Sequence, residues 1–225
     1  MNDQDAAAKA SLAQTCARLA DAFPGFRPPH MLLLYGSLRE RSFSRLLTAE
    51  AADVLRGLGA EVEVFDPRGL PLPDSTAPTH PKVAELRRLS IWSEGQVWCS
   101  PERHGAITAV MKAHFDWIPL QVDGVWQTQG RTVAVMQVNG GVHSFNAVNA
   151  LRLLGRSLRT VVIPNQLSIS QVSQHFDADG NLTSPVLRAR LIDVMEELMK
   201  FTLLTREHRG LLADRHSERE TKAPV

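Results

Sequence analysis

The stretch LLYGSLRERSFSR, residues 33–45, joins an apolar run to a glycine and then to a segment rich in serine and arginine. The apolar residues up to Tyr35 are typical of a buried strand, and Ser42 or Ser44 can cap a helix that follows. A strand-to-helix turn of this kind points free backbone N–H groups outward, and the helix adds roughly half a positive charge there. Serine hydroxyls and arginine guanidiniums are further donors to oxygen atoms. The stretch therefore predicts a phosphate-binding loop, although a capped helix with solvated arginines has the same pattern.

The loop lacks the residues that phosphate-cleaving loops need. No lysine lies between Lys9 and Lys82, so the G-x-x-x-x-G-K-[ST] motif of nucleotide hydrolases is absent there. Neither cysteine of the chain lies in the loop, which excludes a phosphatase that works through a cysteine nucleophile. Gly57 and Gly59 precede an apolar run instead of following one, so they do not form a dinucleotide-binding fingerprint. We expect the loop to bind a phosphate monoester and to leave it intact.

Five short apolar runs alternate with longer amphipathic segments. The runs are MLLLY (31–35), EVEVF (61–65), QVWCS (96–100), TVAVMQV (132–138) and TVVIP (160–164), and helical periodicity fits 43–58, 106–117, 144–158 and 185–204. Strands that alternate with helices predict right-handed crossovers and a parallel sheet. The expected fold is α/β: a three-layer, flavodoxin-like, doubly wound sandwich with a five-stranded parallel sheet in the order 2-1-3-4-5. Its domain is expected over 31–206, with an N-terminal arm (1–30) and a C-terminal tail (207–225).

Composition narrows the class of protein. The chain has 225 residues, enough for one sizeable domain, and its formal net charge of +1 argues against a nucleic-acid-binding surface. No apolar run approaches the roughly 20 residues of a membrane span, and the start MNDQDAAAKA lacks the order of a signal peptide. Cys16 and Cys99 have no metal-binding or disulfide spacing. We expect a cytoplasmic protein that binds neither nucleic acid nor membrane and holds no metal.

Two further loops are predicted at the same sheet edge as the first. SPERHG (100–105) follows the third run and NGGVHS (139–144) follows the fourth. Ligands of doubly wound folds lie outside the carboxyl ends of neighbouring strands, and glycines there let a flat ring approach the backbone. A phosphate at the first loop and a planar ring against the other two is the layout of flavin mononucleotide (FMN). Three ordinary turns are the alternative, because glycine and proline punctuate any chain.

Longer motifs resemble one family. They are GSLRERSFSR (36–45), SPERHG (100–105) with MKAHFDWIPL (111–120), VMQVNGG (135–141) with SFNAVN (144–149), and MEELMKFTLLTR (195–206). Together they resemble the ArsH family, a branch of the NADPH-dependent FMN reductases found in arsenic-resistance operons. The similarity runs from about Met31 to Glu218. It implies a flavodoxin-like homotetramer that binds FMN non-covalently and uses NADPH.

The resemblance also implies residue roles. In that family the first loop holds the FMN phosphate, which gives this role to Ser37, Arg39, Ser42 and Ser44. The second loop meets the isoalloxazine ring, largely through its backbone, at Pro101, Glu102, Arg103, His104 and Gly105. The third loop flanks the other side of the ring with Gly140, Gly141 and Ser144. No catalytic side chain is expected, because hydride transfer to a flavin needs no side-chain acid or base. Arg41 is a candidate for the NADPH 2′-phosphate, and Arg103 for stabilising the negative charge of reduced flavin.

The implied reaction has several acceptors. Hydride passes from NADPH to bound FMN, and electrons then pass to oxygen (giving hydrogen peroxide), quinones, azo dyes, metal ions or trivalent organoarsenicals, in arsenic resistance or the oxidative-stress response. A general quinone or azo reductase with no arsenic role shares every motif. A flavodoxin-like electron carrier shares the fold. Phe115, Trp117 and Trp126 are expected at a subunit interface or over a neighbouring flavin.

Overall fold

The computed structural model of the chain describes residues 3–73, 77–119, 121–122, 125–214 and 216. The strands, in chain order, are β1 (His30–Tyr35), β2 (Glu61–Phe65), β3 (Gly95–Arg103), β4 (Ala106–Ile107), β5 (Gln121–Val122), β6 (Val125–Trp126), β7 (Thr132–Val138) and β8 (Val161–Ile169). The helices are α1 (Asp3–Ala22), α2 (Phe43–Gly57), α3 (Pro81–Trp92), α4 (Ala109–Trp117), α5 (Asn146–Ser157), α6 (Pro185–Thr205) and α7 (Arg209–Ala213), with 3₁₀ turns at Val172–Gln174 and Arg206–His208.

The central sheet has the order β2-β1-β3-β7-β8, and each neighbouring pair on this path is parallel. The fourth and fifth predicted strands are β7 and β8, so the predicted order 2-1-3-4-5 is confirmed, as is the flavodoxin-like α/β class. All seven residues of β7 are buried. Continuous apolar runs of this kind arise because helices cover both faces of a parallel sheet.

Alternate residues of β1 serve two separate cores. Met31 and Leu33 belong to the core under α2 and α6, whereas Leu32 and Leu34 belong to the core that α3, α4 and α5 cover. This alternation follows from the period of two in a strand, and it fixes the three layers. The first core also holds Leu19 of α1, so the described part of the arm packs on the chain itself.

Three local predictions differ from the structure. Helix α3 was not predicted, because only Val83, Leu86 and Leu89 mark its buried side among charged residues. The helix expected from residue 106 begins at Ala109, since 106–107 pair with β3 as β4. The strand expected at 160–164 runs on to Ile169, past an irregularity in its pairing with β7 beside Pro164. Proline has no N–H to donate, but an edge strand such as β8 tolerates it.

Two expected interface aromatics belong to the chain's own core. Phe115 and Trp117 are 4% and 5% exposed, and both belong to the core beneath α3, α4 and α5. The Trp117 indole donates a 2.6 Å hydrogen bond to the Pro71 carbonyl. Their prediction as interface residues is therefore wrong, because burial within this chain satisfies both rings. The side chain of Trp126 lies outside the described residues.

Candidate functional site

A cleft of about 470 Å³ opens at the carboxyl edge of the sheet, between the loops that follow β1, β3 and β7. Its walls are Ser37, Arg39, Arg41, Ser42, Phe43, Ser44, Pro101, Glu102, Arg103, His104, Val138, Asn139, Gly140, Val172 and Ser173. The structure thus brings nine of the twelve candidate residues together around one cavity. Gly105, Gly141 and Ser144 do not line it.

The first loop ends at the N-terminus of α2, which opens onto the cleft. Ser42 is the N-cap residue, and its hydroxyl accepts a 3.2 Å hydrogen bond from the Arg45 N–H. The hydroxyl oxygens of Ser42 and Ser44 lie 3.0 Å apart, and both side chains are buried. Two hydroxyls, free helix N–H groups and the positive end of the helix dipole form a donor set that suits a phosphate group.

Gly36 lets the first loop lie directly on the second. A Cβ atom at Gly36 would stand 2.7 Å from the Thr108 hydroxyl oxygen and 2.8 Å from the Met111 Cβ. The Gly36 N–H donates to the Cys99 carbonyl at 3.0 Å, and the Gly36 carbonyl accepts from the Thr108 hydroxyl at 2.6 Å. Glycine is required here because any side chain would collide with the start of α4 and crowd Pro101 of the second loop at 3.2 Å, which would force the first loop away from both.

The second loop is a β-hairpin rather than the open loop expected over 100–105. Strand β3 continues to Arg103, which pairs with Ala106 of β4, and the turn between them consists of His104 and Gly105. Both turn residues have positive φ, 51° for His104 and 73° for Gly105. Such values are typical of a type I′ turn, which favours glycine at its second position. The hairpin places Glu102 and Arg103 on the cleft wall.

The third loop places a bare stretch of backbone at the cleft. Gly140 lines the wall, a Cβ atom there would meet no protein atom within 4 Å, and its φ is not in the left-handed region. The packing of the chain therefore does not require glycine at this position, whereas a ligand lying against the backbone would. Next to it, Asn139 is 8% exposed, and its Oδ1 accepts no hydrogen bond from the described residues.

The three arginines of the cleft wall differ in whether their guanidiniums already have hydrogen-bond partners in the chain. The Arg41 guanidinium donates to the backbone carbonyls of Asp177 and Ala178 and so holds the 177–181 turn against the first loop. Within the described part of the chain, the guanidiniums of Arg39 and Arg103 have no hydrogen-bond or ion-pair partner. Arg39 and Arg103 are therefore the two arginines of the wall whose charge is available to an anionic ligand.

The buried titratable groups near the carboxyl ends of β1 and β3, Tyr35 and Cys99, offer no nucleophile. Burial, aided by the hydrogen bond that the phenol donates to Asp66, raises the pKa of Tyr35 to about 12. Burial likewise raises the pKa of the Cys99 thiol to about 12, so it is uncharged at neutral pH. Among the described residues no cluster of histidine, cysteine and acidic side chains could hold a metal ion, and no helix could span a membrane.

The residues of the cleft fit FMN. The α2 N-terminus supplies donors for a phosphate, and the Gly140 backbone offers a free surface on which a flat ring can lie. Apolar wall residues, among them Pro101, Val138 and Val172, suit the faces of such a ring. The unpaired Oδ1 of Asn139 can accept a hydrogen bond from a ligand N–H or hydroxyl group.

The sheet order defines the class as a flavodoxin-like protein, and the cleft lies at the carboxyl edge of its sheet, where this fold class binds its ligands. Residues 29–174 match the family model described as NADPH-dependent FMN reductase. The chain is 58% identical over 207 residues to the NADPH-dependent FMN reductase ArsH of Rhizobium meliloti (strain 1021), covering 92% of this chain and 86% of that protein. It therefore belongs to the ArsH branch of the NADPH-dependent FMN reductase family, and it is an oxidoreductase whose cofactors are FMN and NADPH.

More distant proteins share the fold or the family. An NADPH:quinone oxidoreductase of Arabidopsis thaliana is 31% identical over 179 residues, covering 76% of this chain and 90% of that protein. The solved structure of FerB, a flavoenzyme NAD(P)H:(acceptor) oxidoreductase from Paracoccus denitrificans, superposes with a TM-score of 0.68 at 20% identity, over 79% of this chain and 98% of that one. The FerB likeness supports the fold.

Sequence reasoning missed one wall of the cleft. Val172 and Ser173 reach it from the 3₁₀ turn after β8, which was not expected because the fifth strand was ended at Pro164. The apolar alternation in Gln166, Leu167, Ser168 and Ile169 is the signal that would have extended the strand. Asn139 and Phe43 were also missed, although each adjoins a residue that was named.

Proposed function

We propose that the cleft is the FMN site, with the phosphate at the N-terminus of α2 and the isoalloxazine ring across the second and third loops. Ser37, Arg39, Ser42 and Ser44 would hold the phosphate. The hairpin residues Pro101, Glu102, Arg103, His104 and Gly105 and the third-loop residues Gly140, Gly141 and Ser144 would form or support the walls around the ring. The FMN-binding domain would span 31–206, between the arm (1–30) and the tail (207–225).

The single observation that carries this proposal is the glycine at 140. Gly140 faces an open cavity, and its φ does not require glycine. The N-terminus of α2, which has the donors to bind a phosphate, opens onto the same cavity. FMN supplies the two-electron redox chemistry, with NADPH as the hydride source, while the chain binds and orients both molecules. The free guanidinium of Arg103 on the wall would favour negative charge that develops on the bound ring.

Electron acceptors are part of the same proposal. Oxygen, quinones, azo dyes, metal ions and trivalent organoarsenicals would take electrons in the cleft after NADP⁺ leaves. The 58% identity to a reductase named ArsH supports a role in arsenic resistance or the oxidative-stress response. No cysteine ligand is needed for this role, since Cys99 is fully buried and its thiol is uncharged.

Two measurements test the function. Purified protein reconstituted with FMN is mixed with NADPH without oxygen, and rapid bleaching of the flavin spectrum is the expected result. Slow bleaching, with tight binding to a protein partner, would instead favour a flavodoxin-like electron carrier. Steady-state rates with oxygen, a quinone, an azo dye, ferric ion and a trivalent methylarsenical then rank the acceptors. A kcat/KM for the arsenical far below that for the quinone would contradict the arsenic role.

The second candidate is a general quinone reductase with no arsenic role. It is favoured by the 31% identical relative named NADPH:quinone oxidoreductase, which aligns over 90% of its own length. The same acceptor survey separates the two functions, because they use one cleft and differ in the acceptor alone.

We further propose a cytoplasmic homotetramer. Val142, Phe145 and Leu153 are each more than half exposed near the start and on the outer face of α5. An apolar depression of about 400 Å³ lies between α4 and α5, and Leu153 lines it. Burial of such a surface against a second copy would stabilise an oligomer. Cys16 and Cys99 are free thiols, as is usual in a reducing compartment. Light scattering of the wild type and of Leu153→Lys would test the assembly, with a smaller particle expected for the variant.

A further inference from the structure

Glu102 makes its described hydrogen bonds within the protein through one carboxylate oxygen. Its Oε2 accepts from the Ser144 hydroxyl, from the Gln137 side-chain amide at 3.2 Å and from the Ala147 N–H at 3.4 Å. Gln137 and Ser144 belong to β7 and the loop after it, whereas Glu102 lies near the end of β3, in the β3–β4 hairpin. One side chain of the second loop therefore fastens the third loop.

The N-terminus of α5 explains why the Glu102 carboxylate lies beside it. Phe145, the N-cap residue of α5, offers no side-chain hydrogen bond to the helix. The first N–H groups of a helix need acceptors and favour negative charge. Glu102, from strand β3, supplies an acceptor and a negative charge, since its carboxylate accepts from the Ala147 N–H. Gln137 completes the arrangement, with its Oε1 accepting from the Val148 N–H at 2.9 Å and its Nε2 donating to the Ser144 carbonyl at 2.7 Å.

We propose that Glu102 is a positioning residue: its carboxylate clamps the third loop and the start of α5 to the β3–β4 hairpin, so that both walls of the cleft are held ready for the flavin. Ser144, which does not line the cleft, acts on the ligand through Glu102. The inference rests on the proposed placement of FMN in this cleft.

Glu102→Gln is a conservative variant that can keep the hydrogen bonds of the clamp. Every described hydrogen bond of the carboxylate is to Oε2, so an amide oxygen can replace that atom while the NH₂ group takes the place of Oε1. Hydrogen bonds to a neutral acceptor are weaker than those to a carboxylate, but the geometry is retained. Glu102→Ala removes the acceptor altogether. Ser144→Ala changes no wall residue, and it removes one donor to Glu102 together with the acceptor of the Asn146 N–H at 3.3 Å.

The experiment measures two quantities for each variant: the FMN dissociation constant and, in the FMN-free protein, hydrogen exchange of the peptide spanning 139–149. For Glu102→Ala we expect about tenfold weaker FMN binding and about tenfold faster exchange, as is common when a supporting residue is lost. Glu102→Gln should stay within about threefold of the wild type in both. The Glu102→Ala/Ser144→Ala double variant should bind FMN no more than about twofold worse than Glu102→Ala, because the two residues form one unit.

Glu94→Ala is the matched control. The Glu94 carboxylate accepts from the Arg27 guanidinium at 2.7 Å and from the His30 N–H at 3.0 Å, at the opposite edge of the sheet. Its loss should lower the Tm and leave FMN binding and the exchange of 139–149 unchanged. An equal loss of FMN affinity in Glu94→Ala and Glu102→Ala would overturn the proposal, because general destabilisation would then explain both.

Other results would overturn the clamp in distinguishable ways. If Glu102→Ala weakens FMN binding and leaves exchange unchanged, Glu102 is a direct ligand contact. If the losses of FMN affinity from Glu102→Ala and Ser144→Ala added up in the double variant, the two residues would not act as one unit. If exchange accelerates while FMN affinity stays constant in all variants, the clamp exists but the FMN placement is wrong. Should Glu102→Ala not fold, Ser144→Ala alone must still accelerate exchange and weaken FMN binding.

Discussion

The Thr108 hydroxyl donates a 2.6 Å hydrogen bond to the carbonyl of Gly36, 72 residues earlier in the chain. The same hydroxyl oxygen accepts from the Met111 N–H at 3.2 Å, so Thr108 caps α4 while it holds the first loop. Both partners are buried. One side chain therefore couples the position of the proposed phosphate loop to that of the start of α4.

Thr108→Val should destabilise the protein by about 1–3 kcal/mol, because valine keeps the shape of threonine but leaves the Gly36 carbonyl and the Met111 N–H without their partner. Urea denaturation of the FMN-free protein measures this change. Thr15→Val is the control: its hydroxyl donates to the Ser11 carbonyl on an exposed face of α1, and its loss should stay within about 0.5 kcal/mol. Equal effects of the two substitutions would contradict a specific role for Thr108.

Ser42→Ala should lower both stability and FMN affinity. Loss of the N-cap hydrogen bond to the Arg45 N–H costs about 1 kcal/mol, and the phosphate would lose a hydroxyl donor. Ser184→Ala is a matched control, because Ser184 caps α6 through the Leu187 N–H at 3.4 Å and does not line the cleft. The two variants should lose similar free energies of unfolding, whereas only Ser42→Ala should bind FMN about tenfold more weakly. If Ser42→Ala and Ser184→Ala bound FMN with equal affinity, the phosphate would not lie at the N-terminus of α2.

Gly140→Ala separates the needs of the fold from those of the ligand. Its Cβ would meet no protein atom within 4 Å and its φ is not positive, so the FMN-free protein should be as stable as the wild type or slightly more stable. FMN affinity should fall at least about tenfold if a ring lies on this backbone. Gly210→Ala is the control, since its Cβ would likewise meet no protein atom within 4 Å and Gly210 does not line the cleft. Unchanged FMN binding in Gly140→Ala would remove the main support for the proposed placement.

Local patterns in the sequence were enough to predict the sheet and the first loop. The run 31–35, the glycine after it and the serine cap lie within a dozen residues, so propensity and periodicity describe them fully. Strand β7 was equally clear because both of its faces are buried. The same reasoning failed at Pro164, where a residue that usually ends strands lies inside one at the sheet edge.

Contacts distant in the chain escaped prediction. Glu102 and Ser144 are 42 residues apart, and nothing in either motif shows that the carboxylate caps α5 instead of facing a ligand. Arg41 was a candidate for the NADPH 2′-phosphate, but its guanidinium binds the carbonyls of Asp177 and Ala178, 136 and 137 residues later. A motif indicates which side chains lie at the carboxyl edge of the sheet. The hydrogen-bond partners of these side chains depend on how the crossover connections bring distant segments together.

His114 should make stability fall in mild acid. Its side chain is fully buried in α4, its Nε2 has no hydrogen-bond partner among the described residues, and its ring meets the edge of Phe65. Burial lowers the pKa of His114 from 6.5 to about 4, whereas the unfolded chain titrates near 6.5. Below pH 6.5 the unfolded state therefore binds the proton first, so stability that is complete above this pH is lost progressively as the pH falls towards 4.

Between pH 7.5 and pH 5 this one group should account for a loss of about 2 kcal/mol in the free energy of unfolding. Urea denaturation of the FMN-free protein at the two pH values measures the total loss, to which other groups also contribute. In His114→Leu the uncharged side chain cannot titrate, so the difference between the two pH values should shrink by about 2 kcal/mol. A variant whose pH dependence equals that of the wild type would show that the buried imidazole does not titrate in this range.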